Sequence, residues 1–186
     1  MKRFRLIVLA TVWISATAQA NETFKIDPSH STIAFKVRHL LGTAKGNFSK
    51  FSGTIVVDRD HPEQSSVAVR IEAASIDTGI AKRDEHLRSE LFEVVRYPEI
   101  TFKSRRVTHT GTDSGEIVGD LTMHGVTREI TLNVQLLSND GRRWRVTTAP
   151  LRRSQFGLVF SKGAEAISGI GDEVAVDIEI EAAPLK

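Results

Sequence analysis

The fold is decided by VTREITLNVQL, residues 126–136, in which apolar and polar side chains alternate. Ile130, Leu132 and Val134 fall on one face of this segment, and the polar residues between them fall on the other. A period of two is typical of a β-strand with one dry face and one wet face. Antiparallel sheets present their strands in this way, whereas parallel sheets bury both faces.

The same alternation recurs along the chain. Further runs occupy residues 33–39, 51–57, 67–71, 144–148 and 174–180, and weaker ones occupy residues 100–109, 116–123 and 151–158. Asn139-Asp140-Gly141 is typical of a hairpin turn. Since closing eight such strands into a barrel removes exposed edges, we predict an all-β protein with an antiparallel eight-stranded barrel.

One segment departs from the period of two. Between residues 77 and 97 the apolar side chains recur with helical spacing, Asp77 or Thr78 is a candidate N-cap, and Pro98 follows the end. We therefore predict a short helical insertion between strands, in a position to cover the mouth of the barrel.

The first twenty residues have the parts of a secretory signal peptide. A basic start precedes an apolar run over residues 6–16, and small residues end at Ala20. The run is too short for a spanning helix, which needs about 20 apolar residues. We predict cleavage between Ala20 and Asn21, an exported protein, and one domain over residues 21–186.

Charge and cysteine content narrow the function classes. Three of the 25 Lys and Arg residues and none of the 23 Asp and Glu residues lie in the leader, so the remainder carries a net charge of −1. This balance argues against a nucleic-acid partner. The chain has no cysteine, so its stability has to come from its core and not from disulfides.

No catalytic motif is present. The sequence has no nucleophile elbow, no phosphate-binding loop and no cysteine nucleophile. His86 and Glu90 are one helical turn apart and are a candidate cation pair, but a solvated or hydrogen-bonded pair is the favoured explanation. We predict no catalytic residue, no cofactor and no metal.

Three residues are candidates for holding a polar headgroup. His39 continues the apolar face of residues 33–37 and is placed at the end of that strand. Arg83 and His86 lie on the predicted insertion. The alternative for all three is a solvated side chain at the surface. If the barrel holds an apolar ligand, these residues are expected at its mouth.

An ordered set of motifs runs over nearly the whole chain after the leader. They are Asp27-x-Ser29-His30-Ser31-x-Ile33-x-Phe35-x-Val37-x-His39, Gly46-x-Phe48, Phe51-x-Gly53, Ser75-Ile76-Asp77-Thr78, Arg83-Asp84-x-His86-Leu87, Tyr97-Pro98-x-Ile100-x-Phe102-x-Ser104, Gly119-x-Leu121-Thr122-x-His124-Gly125-Val126-Thr127-Arg128 and Arg153-Ser154-x-Phe156-Gly157. This set resembles the YceI-like family of bacterial polyisoprenoid-binding proteins. Leu91-Phe92-Glu93 departs from the family pattern, which has two aromatic residues and an aspartate there.

The resemblance implies a lipocalin-like barrel with a long apolar tunnel, a periplasmic location and a homodimer. It also implies a long isoprenoid ligand, such as a quinone or a polyprenyl phosphate, or a similar amphiphile. With the alternation of the strands, it leads to a hypothetical set of tail-binding residues. These are Phe35, Val37, Ile55, Phe102, Leu132, Val134 and Phe156.

Three functions stay open at this point. The leading one is a non-covalent lipid carrier or store. The second is an accessory protein of a quinone-linked membrane complex, in which the cavity is only structural. The third is an enzyme acting on a lipid headgroup with His39 or His86 as its base, which lacks an evident catalytic partner residue.

Overall fold

The computed structural model describes residues 21–160 and 169–185. The predicted leader, residues 1–20, lies outside the described residues, and so its cleavage after Ala20 stays a prediction. Within the described part of the chain, no helix has the length and apolar character needed to cross a membrane.

Twelve strands are found among the described residues. They are β1 (Glu22–Ile26), β2 (Thr32–His39), β3 (Gly42–Phe48), β4 (Phe51–Val57), β5 (Ser66–Glu72), β6 (Ile76–Asp77), β7 (Glu99–His109), β8 (Ser114–Met123), β9 (Val126–Leu136), β10 (Arg143–Thr148), β11 (Leu151–Arg152) and β12 (Glu173–Pro184).

Several of these strands are consecutive pieces of one longer strand. β1 and β2 both pair with β12, β3 continues into β4, β5 continues into β6, and β10 continues into β11. Each long strand pairs antiparallel with the next along the chain, and β12 closes the ring against β1 and β2. The result is the predicted all-β, eight-stranded antiparallel barrel, which is confirmed.

The insertion is shorter than the sequence predicts. An α-helix, α1 (Ala81–His86), is followed by a π-helical turn at Leu87–Leu91. Asp77 still belongs to β6, where it pairs with Asn47, so the helix begins later than predicted. The expected cap is also wrong, because Ile80 holds the N-cap position without a side-chain hydrogen bond.

The weak strand predicted over residues 151–158 is largely absent. β11 has only two residues and leads into a 3₁₀ turn at Arg153–Phe156. Gly157 then adopts a left-handed conformation with φ of 72°. That backbone state does not continue a strand, and the chain turns across the end of the barrel.

The buried residues form two clusters inside the barrel. One lies under the insertion and includes Ile76, Phe92 and Phe156. The other lies where β1, β2, β4 and β12 meet and includes Ile26 and Ile180. The alternating strands deliver these side chains inward, and the lysines, arginines and carboxylates between them face water.

Gly119 on β8 provides a test of the packing, because the Phe102 ring lies directly against it. A Cβ atom at this position would lie 2.5 Å from the carbonyl oxygen of Lys103 and 2.6 Å from Cζ of Phe102. We expect Gly119→Ala to lower the free energy of unfolding by about 2 kcal/mol, since overpacking costs of this order arise when backbone has to move. Thermal unfolding should then shift down by about 4–8 °C.

Gly111→Ala is the matched control. Its new Cβ would lie 2.6 Å from the Ser114 hydroxyl, which is the end of a side chain that can rotate away. We expect its melting temperature to stay close to that of the wild type. Equal losses in the two variants would contradict the close approach at Gly119.

Candidate functional site: an apolar cavity with a polar mouth

The barrel encloses a cavity of about 500 Å³. Inward-facing side chains of nearly every strand line it, and most of them are Ile, Val, Leu or Phe. The polar members of the lining are few. They are His39, Thr78, Arg83, Thr148 and Arg153.

These polar side chains belong to the same end of the barrel. His39 ends β2, Thr78 and Arg83 lie on the insertion, Thr148 ends β10, and Arg153 follows β11. We call this end the mouth: its described parts are the β2–β3 hairpin, the insertion, and residues 153–160 and 169–172 of the connection between β11 and β12. The lining therefore changes from polar at the mouth to apolar in depth.

The opposite end of the barrel is apolar inside. Trp144, next to the β9–β10 turn, lines the cavity there. Its ring packs edge-on against Phe24 with 6.0 Å between centroids. The ring pair packs residues of β1 and β10 together at this end of the barrel.

Six of the seven residues proposed for the tail line the cavity. They are Phe35, Val37, Ile55, Phe102, Leu132 and Val134. Phe156 does not belong to the lining, because the 3₁₀ turn directs it into the buried cluster under the insertion, where it is 1 % exposed. Leu91, where the sequence departs from the family pattern, does line the cavity.

Of the three headgroup candidates, His39 and Arg83 line the cavity and His86 does not. The His86 ring stacks on Phe160 with 5.8 Å between centroids, and its Nδ1 lies 3.1 Å from a carboxylate oxygen of Glu90. His86 thus contacts the cavity only through Phe160, which is part of the lining. Among residues 21–160 and 169–185, no three His, Asp or Glu side chains are grouped to hold a metal ion.

Arg83 is held in place by its own insertion. Its Nε donates to the Thr78 hydroxyl at 2.8 Å, and Nη2 donates to the Thr78 carbonyl at 2.9 Å. The buried Asp84 carboxylate in turn accepts a hydrogen bond from the Thr78 amide at 3.0 Å. This network orients the guanidinium and leaves Nη1 without a partner among the described residues.

His39 is oriented by the hairpin that follows it. The Leu41 amide donates to Nδ1 of His39 at 3.4 Å. A nitrogen that accepts this bond carries no proton, so the neutral ring has its hydrogen on Nε2. His39 therefore offers a donor at the mouth of the cavity.

Arg153 is the polar residue whose role sequence reasoning missed. It is only 8 % exposed, and it donates to the carbonyl oxygens of Leu158 (2.7 Å), Gly171 (3.0 Å) and Ile170 (3.3 Å). The sequence does contain a signal for this position, because Arg153 is two residues after Leu151 and therefore falls on the same inward face of the predicted strand. The guanidinium joins the two described ends of the β11–β12 connection at the mouth.

The insertion is fastened to the barrel at two points. Arg88 donates to the carbonyl oxygens of Ala74 (2.7 Å) and Ile76 (2.6 Å). Further on, Nε2 of His124 lies 3.2 Å from the carboxylate of Glu93, across from the β8–β9 turn. The insertion is thus a fixed part of the mouth.

Asp172 provides a pH test of the β11–β12 connection. Its carboxylate accepts from the Ser154 amide and hydroxyl, both at 2.9 Å. Burial raises the pKa of Asp172, but the Ser154 hydrogen bonds and the positive charges of Arg153 and Arg152 outweigh it and hold the pKa below its ordinary 3.8. A carboxylate whose pKa is lower in the folded protein stabilises the fold at pH values above its ordinary pKa. This stabilisation is lost as the pH falls through the pKa of the folded state.

We therefore expect Asp172→Asn to destabilise the protein more at pH 7 than at pH 3. Urea unfolding of both proteins at the two pH values measures this difference. Asp60→Asn, at an exposed carboxylate outside this contact, controls for general effects of acid. An Asp172→Asn effect of the same size at both pH values would contradict the interpretation.

The sequence also matches proteins that are already described. It matches the family model of the YceI-like domain over residues 24–182. It is 35 % identical to protein YceI of Escherichia coli over 142 residues, which is 74 % of each chain. It is 32 % identical to a UPF0312 protein of Pseudomonas putida over 190 residues, covering 97 % of this chain and 96 % of that one.

Solved structures share the fold. The crystal structure of BcnA from Burkholderia cenocepacia superimposes with a TM-score of 0.76 at 24 % identity, covering 85 % of this chain and 99 % of that one. A polyisoprenoid binding domain from Saccharophagus degradans superimposes with a TM-score of 0.67 at 23 % identity, covering 87 % and 98 %. With the family model spanning the barrel from β1 to β12, these matches confirm the resemblance found in the motifs, and the chain belongs to the YceI-like family.

Proposed function

We propose that this protein binds a long-chain isoprenoid, such as a quinone or a polyprenyl phosphate, or a similar amphiphile, and that it stores or carries this ligand in the periplasm. The observation that carries the proposal is the cavity inside the barrel, apolar in depth and polar only at its mouth. The structural neighbour described as a polyisoprenoid binding domain supports the ligand class. The periplasmic location rests on the leader sequence of residues 1–20.

The tail supplies most of the binding free energy in this proposal. Burying one methylene group is worth about 0.8 kcal/mol. Large ligands gain less for each atom, about 0.3 kcal/mol, but a ligand of about 40 heavy atoms still reaches about 12 kcal/mol. The six lining residues proposed for the tail supply the apolar surface that this requires.

The mouth sets the orientation of the ligand. His39 offers its Nε2 hydrogen and Arg83 offers Nη1, so the mouth presents donors to a headgroup. A quinone carbonyl or a phosphate accepts such hydrogen bonds, and a phosphate also gains from the charge of Arg83. The headgroup would lie at the mouth and the tail would extend towards Trp144.

Binding without turnover is the simplest function for this site. His39 is the one histidine in the described lining, and no aspartate or glutamate lies in that lining beside it. A general base that activates a nucleophile is usually oriented by a third group. We therefore propose a carrier or store, and we expect purified protein to leave a polyprenyl phosphate unchanged.

The direct test is organic extraction of the protein purified from its own periplasm, followed by mass spectrometry. We expect a long isoprenoid at close to one molecule for each chain. An extract without any amphiphile would overturn the proposal. Extraction of protein refolded from denaturant, and therefore stripped of ligand, provides the baseline.

Trp144 reports the orientation of the ligand, because it is the only tryptophan among the described residues. We expect a long-tailed quinone added to stripped protein to shift its emission to shorter wavelength without strong quenching. Strong quenching requires the quinone ring close to the indole. That result would place the headgroup at the deep end and would contradict the roles of His39 and Arg83.

A further inference from the structure

The large apolar side chains that the protein exposes are concentrated around the mouth. Leu40 is 78 % exposed, Leu41 is 91 % exposed, Ile80 is 52 % exposed and Val159 is 51 % exposed. They lie on three separate segments: the β2–β3 hairpin, the start of the insertion and the β11–β12 connection. The described chain exposes three other large apolar residues, which are Val95 (100 %), Leu185 (54 %) and, to a smaller extent, Leu137 (39 %).

Each of these four side chains adjoins the cavity lining along the chain. His39 of the lining directly precedes Leu40, and Val159 stands between the lining residues Leu158 and Phe160. Ile80 lies between Thr78 and Arg83, which also line the cavity. The exposed apolar residues therefore surround the opening through which a ligand enters.

The leucines form the tip of a basic hairpin. Lys36 and Arg38 on β2 and Lys45 on β3 are exposed, and they form no ion pair within the part of the chain that the structure describes. Residues 32–48 contain no aspartate or glutamate. The hairpin thus combines two protruding apolar side chains with three unpaired positive charges.

We propose that the mouth docks on the surface of an anionic lipid bilayer. Leu40, Leu41, Ile80 and Val159 would enter the boundary between headgroups and acyl chains, and Lys36, Arg38 and Lys45 would lie over the anionic headgroups. Apolar residues flanked by lysine and arginine are the composition that binds such interfaces. We call these seven residues the docking rim.

The arrangement fits a bilayer better than a protein partner. The exposed apolar side chains lie on three separate segments around an opening. A fluid lipid surface can receive separated side chains individually. The negatively charged lipid surface also complements the basic hairpin. Each lysine or arginine near an anionic leaflet strengthens membrane binding about fivefold.

Docking in this position would give the ligand a route between the bilayer and the cavity. This consequence of docking rests on the proposed function. With the docking rim in the interface, a tail passes between the acyl chains and the barrel without crossing water. The polar lining at the mouth would then lie at the depth of the lipid headgroups.

Vesicle flotation tests the docking rim. The complete mature protein is mixed with vesicles of phosphatidylethanolamine and phosphatidylglycerol, or with vesicles of phosphatidylcholine alone. We expect clear binding to the anionic vesicles, a loss of at least tenfold in the double variant Leu40→Ser and Leu41→Ser, and a loss of about 25-fold in Lys36→Gln with Lys45→Gln.

Leu137→Ser is the matched control, because Leu137 is an exposed leucine at the opposite end of the barrel. Its vesicle binding should equal that of the wild type. Absence of binding to the anionic vesicles, or equal losses in the leucine variants at both ends, would overturn the proposal. A protein partner captured through Leu40 and Leu41 without any vesicle binding would also overturn it.

A fluorescent label gives a second measurement that does not depend on variant stability. The chain has no cysteine, so Leu41→Cys and Leu137→Cys each provide a single site for an environment-sensitive dye. We expect the emission of the Leu41→Cys label alone to shift to shorter wavelength on anionic vesicles. Equal shifts at both sites, or none at either, would contradict docking through the mouth.

Extraction of lipid from the same samples separates the two proposals. A protein that retains an isoprenoid but ignores vesicles would overturn docking alone. A protein that binds vesicles through the leucines but yields an empty extract would overturn the ligand proposal alone. Neither Leu40 nor Leu41 lines the cavity, so their substitution should leave the retained ligand unchanged.

Discussion

Val134→Asp is expected to lower the affinity of the protein for its lipid by more than tenfold, so that less lipid is retained through purification. Val134 lines the cavity. On β9 it pairs in register with Val146 of β10 and with Gly115 of β8. An ionised carboxylate at this position retains its hydration water. The hydrated group replaces apolar contacts along the proposed path of the tail. Losing contact with only two methylene groups, at about 0.8 kcal/mol each, already costs about tenfold in affinity.

Gln135→Asp is the control for the added charge. Gln135 is the next residue on β9, faces solvent and pairs in register with Arg145. We expect its lipid content to match that of the wild type, as measured by extraction and mass spectrometry. Circular dichroism has to show strand signal in both variants. A folded Val134→Asp protein with unchanged lipid content would mean that the ligand binds elsewhere.

Arg153→Leu is expected to lower the free energy of unfolding by about 3 to 5 kcal/mol. The guanidinium is buried, and among the described residues it donates to the carbonyl oxygens of Leu158, Ile170 and Gly171. Leucine fills much of the volume but leaves these acceptors without their donor. Unsatisfied buried acceptors cost about 1–3 kcal/mol each, and water at the mouth recovers part of that cost. Urea unfolding at neutral pH measures the loss.

Arg152→Leu separates this effect from a general loss of charge. Arg152 is exposed, and its nearest carboxylate contact, to Asp172, is 3.9 Å long. We expect a change of less than about 1 kcal/mol, as for other surface ion pairs. Arg153→Lys should recover only part of the stability, since one ammonium does not reach three separate carbonyl groups. Equal effects of the two leucine substitutions would contradict the structural role of Arg153.

The barrel and most of its lining were predictable from local sequence. Strict alternation determines which side chains of a strand share a face, so the inward positions of Phe35, Leu132 and Val134 could be assigned without any contact information. Phe156 does not line the cavity, because the strand alternation ends with β11 and a 3₁₀ turn follows it. The change of chain direction at Gly157 depends on a left-handed backbone conformation and on the hydrogen bonds of Arg153. Neither of these produces a periodic pattern in the sequence.

The mouth was harder to predict than the interior. His39 was placed correctly beside the cavity because it ends an alternating run. His86 has the same kind of sequence signal as Arg83, but α1 is short and directs the two side chains differently. Arg83 is held towards the cavity by Thr78, whereas His86 stacks on Phe160.

The sequence by itself determined the class of fold, the family and the apolar interior, because each follows from the order and period of residues along single strands. Tertiary structure alone decided where the interior becomes polar, that Arg153 joins the two described ends of the connection at the mouth, and that exposed apolar side chains of three separate segments lie around the opening. These features join segments far apart in the chain, such as residue 40 and residue 169. Closure of the barrel between β12 and the first two strands brings such segments together, and no local pattern encodes their distance.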